Sequence, residues 1–221
     1  MKSHSIRIQV HHIASRPFTM KHHQSKSFSD ADSAIEALLS RRSLKSVVAP
    51  GPTSEQLQVI LQAATHAPDH GALRVWRFVL IDQTHMAAFT ELAMDVMKKS
   101  KKGIDPDKEK RNREWLSRLP LLIGLAYKIH HDNSKVPEIE QTLSMGAAVM
   151  NMQNIIHLMG YASFWSTGLG SHGEEVPEVL GFDTLDYRFV GFLAVGTPAG
   201  TPGQVERPDP MSLAHVWQPN G

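Results

Sequence analysis

From Ser33 onward the apolar residues fall into recognisable helical and strand periods. Ala34, Ile35, Leu38 and Leu39 recur at helical spacing, with Asp32 or Ser33 placed to cap the start, and this helix is expected to run into Ser40-Arg41-Arg42-Ser43. Pro50, Gly51 and Pro52 break the pattern. Thr53 then caps a second helix, with Gln56 in capping-box register and a stripe of Leu57, Ile60, Leu61 and Ala64. It is expected to end near His66-Ala67-Pro68-Asp69-His70. After a loop over 71–75, Arg77 to Asp82 reads as a buried strand and 85–99 as a helix through Phe89, Leu92, Ala93 and Val96. A polar helix over 107–118 leads to Pro120 and a strand from Leu121 to Tyr127. His130 to Asn133 reads as a turn. A long helix over 137–159, a strand over 161–167, a short helix over 174–180 and a last strand over 187–196 complete the pattern.

The second half of the long helix is apolar on nearly every side: Met145, Ala147, Ala148, Val149, Met150, Met152, Ile155 and Ile156. Such a helix is expected to lie in the core or against another subunit. The tail from Ala199 lacks a core pattern yet carries Leu213, Val216 and Trp217, as an arm docking on a partner subunit would. Strands separated by helical crossovers indicate a layered α/β or α+β sandwich. No GxGxxG follows the first strand and no GxxxxGK[ST] occurs, which disfavours a dinucleotide fingerprint and a phosphate-binding P-loop.

Composition narrows the chemistry. The 221 residues are 41% hydrophobic and 20% charged, as in an ordinary globular domain. There is no cysteine, so disulfides, thiolate metal sites and thiol nucleophiles are out, and any redox role needs a borrowed cofactor. The formal charge of +1 gives no global pull toward nucleic acid or membrane. No apolar run is long enough for a transmembrane helix, and a cytoplasmic protein is expected. Residues 1–30 hold Lys2, Arg7, Arg16, Lys21 and Lys26 against Asp30 alone, together with five histidines. They read as an extension outside the core, disordered or a transit-type leader, with Met20 an alternative start. Residues 31–221 read as the folded domain with its C-terminal arm.

Three motifs carry candidate chemistry. Arg41-Arg42-Ser43 reads either as a basic helix C-terminus favoured by the helix dipole or as an anion clamp, since guanidinium forks and a hydroxyl suit a phosphoryl group. His66 and His70 lie four apart; a zinc pair is conceivable, but HExxH is absent and no third ligand sits at ligand spacing. Trp165-Ser166-Thr167-Gly168 reads either as a glycine-rich turn or as a close backbone approach to a ligand. The adjacent histidine pairs read as surface. No GxSxG and no paired carboxylates stand out for triad or glycosidase chemistry.

Taken in order, "RRS", "APDHGALRVWRF", "EQTLSMGAAVMNMQN", "FWSTG" and "VGFLAVGTP" over roughly residues 33–210 resemble the FMN-dependent nitroreductase family, closest to its short bacterial NAD(P)H nitroreductases. The resemblance implies an α+β three-layer sandwich, with helices on a mostly antiparallel sheet, and an interlocked homodimer with FMN at the subunit interface. It implies that Arg41, Arg42 and Ser43 hold the FMN phosphate and ribityl side, that His66 and His70 line the flavin, and that Trp165, Ser166 and Thr167 lie beside it. It implies ping-pong transfer of reducing equivalents from NAD(P)H to nitroaromatic, quinone or similar electrophilic acceptors, the flavin carrying the hydride chemistry. An FMN-binding sensor or carrier without turnover is the alternative, and a histidine-based metal hydrolase the third hypothesis. Two departures stand out: the family often has Arg or His where His66 stands and a basic residue where Ser166 stands. A late basic residue serves the phosphate in the wider family; Arg207 is the candidate, in a tail of uncertain register.

Overall fold

The computed structural model describes residues 28–100 and 103–218, so the readings of residues 1–27 lie outside the described residues. Six α-helices and five strands follow in the order α1 (Phe28–Ser40), β1 (Val47–Val48), α2 (Ser54–Ala64), β2 (Trp76–Asp82), α3 (Met86–Lys99), α4 (Pro106–Leu116), β3 (Leu121–Lys128), α5 (Glu138–Leu158), β4 (Ala162–Ser166), α6 (Glu175–Val179) and β5 (Tyr187–Pro198). The first helix begins five residues before Ser33 and stops at Ser40, short of the arginines expected to close it. The Thr53–Gln56 capping box is present in both directions. β1, two residues long, had no period to reveal it.

All strand pairs are antiparallel, in the order β1-β5-β3-β2, with β4 also on β5. Alternation along β3 divides two cores. Leu121, Ile123, Leu125 and Tyr127 face one cluster with Ile60 and Ala64 of α2 and Met145, Val149, Met152 and Ile156 of α5. Leu122 faces the other, with Phe89 and Met94 of α3, Leu116 of α4 and Val176 of α6. Helices therefore cover both faces of the sheet. That is why β3 is an unbroken apolar run although its pairing is antiparallel.

α5 is buried through Met145, Ala148, Val149, Met152 and Ile156, yet Ile139, Leu143, Met150 and Leu158 stand exposed. So do Ile35, Leu38 and Leu39 of α1 and Leu213, Val216 and Trp217 of the tail. The apolar sides of α1 and α5 thus exceed what one protomer covers. Among the described residues, no helix is long and apolar enough to cross a membrane.

Where β3 meets β5 the register slips between Leu125 and Ala126, opposite Val190. The Val190 carbonyl accepts from the indole Nε1 of Trp165, 2.9 Å away. Next to it, Gly191 adopts φ +112°, and a Cβ there would overlap the Ser166 carbonyl oxygen. Gly191→Ala is expected to lower stability by about 2–3 kcal/mol, from left-handed strain plus the clash, read as a shifted urea midpoint. The Trp165 fluorescence environment should change with it, because β4 must move away.

Candidate functional site

The end of α1 prepares a cationic hollow. Arg42 turns back on the helix, and its Nη1 donates to the carbonyls of Leu39 and Arg41 at 2.8 and 2.9 Å. Those carbonyls are left over by the helix terminus, so Arg42 serves largely as its cap. Ser40 Oγ donates to Ala37 O at 2.9 Å and meets His157 Nε2 at 3.3 Å. The chain is then pinned: Leu44 N donates to Ser163 O of β4 at 3.1 Å, and Ala199 N donates to Ser46 O at 2.9 Å.

Arg41 has no such employment. Its Nη1 is buried without a hydrogen-bond partner. Burial, then the charge of Arg207, then that of Arg42 push its guanidinium below the usual arginine range. The hollow it lines is about 200 Å³, bounded by Ser40, Arg42, Gln153, His157 and Ser163. Three guanidinium groups close enough to repel, one with a buried free donor, form an arrangement that an anion with several acceptor oxygens would complete. Arg207, the late basic residue that the resemblance offered, is not among the residues lining the hollow and acts on Arg41 through its charge. Its signal is electrostatic and three-dimensional.

The same segment lines a second hollow of about 250 Å³, with Lys45, Ser46, Val47, Arg111, Glu114, Trp115 and Arg118. Lys45 Nζ sits 5.0 Å from the Trp115 ring centroid, and Trp115 Nε1 donates to Lys45 O at 3.0 Å. Trp115 in turn packs edge-on against Phe164 of β4 at 6.1 Å. Among the described residues Lys45, Arg111 and Arg118 enter no ion pair. The sequence pattern marks 107–118 only as a polar helix; its cations gain meaning from standing opposite Lys45.

β4 carries the third motif away from Ser163. Ser166 Oγ accepts from Gly168 N at 3.2 Å, Ser171 Oγ donates to Thr167 O, and Leu169 and Gly170 adopt φ 58° and 77°. Ser43 and Thr167 are exposed, and Trp165 is 37% exposed. The motif is a tight turn, and it leads from a strand whose Ser163 lines the arginine hollow.

The histidines go elsewhere. His66 Nδ1 lies 2.8 Å from Gln62 O, and its ring borders an apolar hollow of about 390 Å³ with Leu38, Val59, Ala63, Asn151 and Ile155. His70 Nδ1 lies 2.6 Å from Glu140 Oε2 at the start of α5. From Glu140 to Gln153, which lines the arginine hollow, is about 20 Å of helix at ~1.5 Å per residue. One protomer therefore unites Arg41 and Arg42 with the beginning of β4, and sets His70 apart from them. His66 and His70 do not converge on a metal, and among the described residues no group of three or more His, Asp or Glu side chains could hold one.

Comparison with known proteins agrees with this architecture. Residues 38–197 match the Nitroreductase family. The chain is 37% identical over 184 residues to the Escherichia coli K12 protein named "Putative NAD(P)H nitroreductase YdjA", covering 80% of this chain and 97% of that one. A nitroreductase-like family protein from Bacillus cereus superposes with a TM-score of 0.72 at 18% identity, covering 90% of this chain and 99% of the other. A mutant of the FMN and NADPH-dependent nitroreductase NfnB from Sphigopyxis sp. strain HMH gives 0.68 at 17%, covering 84% and 99%. At these identities the two structures speak for the fold alone.

Inorganic phosphate should stabilise the protein through the arginine hollow. At ten times its dissociation constant the gain is ~1.4 kcal/mol, a rise in Tm of roughly 3–6 °C. Differential scanning fluorimetry should show this rise in the wild type and lose it in Arg41→Ala, with general salting effects common to both.

Proposed function

This chain belongs to the nitroreductase family, and on that footing we propose that it is an FMN-dependent oxidoreductase that passes reducing equivalents from NAD(P)H to nitroaromatic, quinone or similar electrophilic acceptors. The observation that carries the reading is the buried, unpartnered Nη1 of Arg41, whose guanidinium also feels the charges of Arg207 and Arg42. A phosphate monoester is the part of FMN that such a hollow fits. Arg41 and Arg207 would hold that phosphate, with Ser43 adding a hydroxyl. Arg42, half engaged as a helix cap, would add mainly charge.

Further along the same segment, Lys45, Arg111 and Arg118 would bias the site toward a negatively charged ring edge. Trp165, Ser166 and Thr167 would border the ring from the end of β4. When bound, FMN supplies the hydride acceptance and donation for which a chain without cysteine has no group of its own. Donor and acceptor take turns at one open face, the ping-pong order.

His66 and His70 join this site in a homodimer, where one protomer offers the arginine hollow and the other its histidines. The exposed apolar residues of α1, α5 and the tail support such a pair, since they are the surfaces one protomer leaves uncovered.

The protein should purify yellow or take up FMN, run as a dimer in sedimentation, and bleach on anaerobic addition of NADH or NADPH. Bound flavin that neither nicotinamide bleaches would turn the reading toward a carrier or sensor. Arg41→Ala should weaken FMN binding by ~1.5–3 kcal/mol, the loss of a charged hydrogen bond, measured by titrating the flavin-free protein. An unchanged affinity would remove the phosphate assignment.

A further inference from the structure

We infer that His70 and Glu140 form a proton-delivering pair for reduction of the acceptor, with His70 holding the proton at Nε2 and Glu140 positioning the ring through Nδ1. The inference rests on the two-protomer flavin site proposed above and deepens it, assigning a chemical step to side chains rather than to the cofactor.

The geometry of the pair is specific. His70 Nδ1 lies 2.6 Å from Glu140 Oε2, and the imidazole is 62% exposed. A carboxylate at Nδ1 keeps a proton on that nitrogen whether the ring is neutral or charged, so the nitrogen that gains and loses a proton is Nε2. Nε2 has no hydrogen-bond partner among the described residues. An imidazole with one nitrogen anchored and the other open is the arrangement general acid catalysis requires.

The backbone beneath it is held with unusual firmness for an exposed turn. The Asp69 carboxylate accepts from Leu73 N and Arg74 N at 3.1 and 2.8 Å, and its carbonyl accepts from Ala72 N at 3.1 Å. Gly71, Ala72 and Arg74 all adopt left-handed φ, at 74°, 52° and 51°. Two of these are not glycine, and such strain persists only where surrounding bonds over-determine it, commonly at working sites. The charged group in contact with the His70 ring is Glu140 of α5, while the Asp69 carboxylate is turned to the backbone N–H groups of its own loop. Glu138, on the same helix turn, is engaged by Arg188 Nε and by Tyr127 OH, each at 3.1 Å, which leaves Glu140 to the ring.

The reaction needs what the pair offers. Taking a nitro group to a nitroso group follows R–NO2 + H⁻ + H⁺ → R–NO + H2O. One N–O bond breaks, the electron pair of the hydride goes to nitrogen, and the oxygen leaves as water with both hydrogens. A quinone likewise takes one hydride and one proton to become a hydroquinone. NAD(P)H supplies the hydride, His70 Nε2–H the proton, and solvent reprotonates Nε2.

The test compares two oxidants of the dithionite-reduced holoenzyme in stopped flow. Nitrofurazone consumes protons as it is reduced, whereas ferricyanide takes electrons alone. The ratio of nitrofurazone to ferricyanide reoxidation rates should fall at least ~tenfold in His70→Gln, and similarly in Glu140→Ala. A readout free of turnover is imidazole ¹⁵N NMR of the full flavin-free chain. Neutral His70 should carry its proton on Nδ1 and shift toward the Nε2 tautomer in Glu140→Ala. An unchanged ratio in both variants overturns the inference, as does an equal loss with both oxidants, which marks a structural role. An Nε2–H tautomer in the wild type overturns it too. Should His70→Gln fail to fold, Glu140→Ala decides by the same ratio and spectrum. A protein that takes up no FMN overturns the underlying reading as well; a flavin-loaded, NAD(P)H-bleached protein with an unmoved ratio overturns this one alone.

Discussion

A cation without a counter-charge sets the terms for the architecture around it. Arg41 has a buried donor that nothing accepts, and Arg207 and Arg42 add repulsion to the cost of its burial. Leaving one donor of a partly buried cation without an acceptor costs free energy. The fold bears it because the segment beyond Arg41 cannot relax. Leu44 is tied to β4 through Ser163, and Ser46 to the end of β5 through Ala199. The two strands holding the segment are themselves paired along Ala162–Ser166.

The sheet distributes the site's parts by simple periodicity. Alternate residues of β3 and β5 feed two cores, and each core seats a different set of helices. α5 lies over one core with the arginine hollow near its C-terminal end and the His70–Glu140 contact near its start. α4 lies over the other and brings Trp115 and two arginines to the far part of the same loop segment. The bulge at Val190 and the left-handed Gly191 let β4 approach closely enough for Trp165 to be fixed by its indole N–H. Irregularities of the sheet therefore fall where a strand end must be aimed.

Much of this was legible before any coordinates. The helical stripes of α2, α3 and α5 and the apolar runs of β2, β3 and β5 follow hydrophobic period, which burial enforces on both faces of the sheet. The order of "RRS", "APDH" and "FWSTG" carried the family. What stayed illegible has physical reasons. β1 is too short to show alternation. Arg42 and Arg41 are neighbours of the same type, and only the carbonyls of α1 decide that one caps while the other remains free. Glu140 is a surface-facing position of a helix whose sequence advertises only its apolar residues. The pairing of β1 and the partner of Glu140 are settled by contacts distant in the chain, which local spacing does not encode.

The uncovered apolar residues and the divided site have one common location. Leu38 lines the hollow that His66 borders, and Leu158 follows His157 of the arginine hollow. In the proposed assembly the surfaces that call for a partner are therefore the ones that carry the halves of the site. A cofactor gripped by arginines of one protomer and bordered by histidines of the other binds the pair and not the single chain. By linkage it must then tighten the pair by as much as pairing tightens the cofactor. In that proposed assembly the free donor of Arg41 and the exposed leucines of α1 would be met in a single event, one electrostatically and the other by apolar contact.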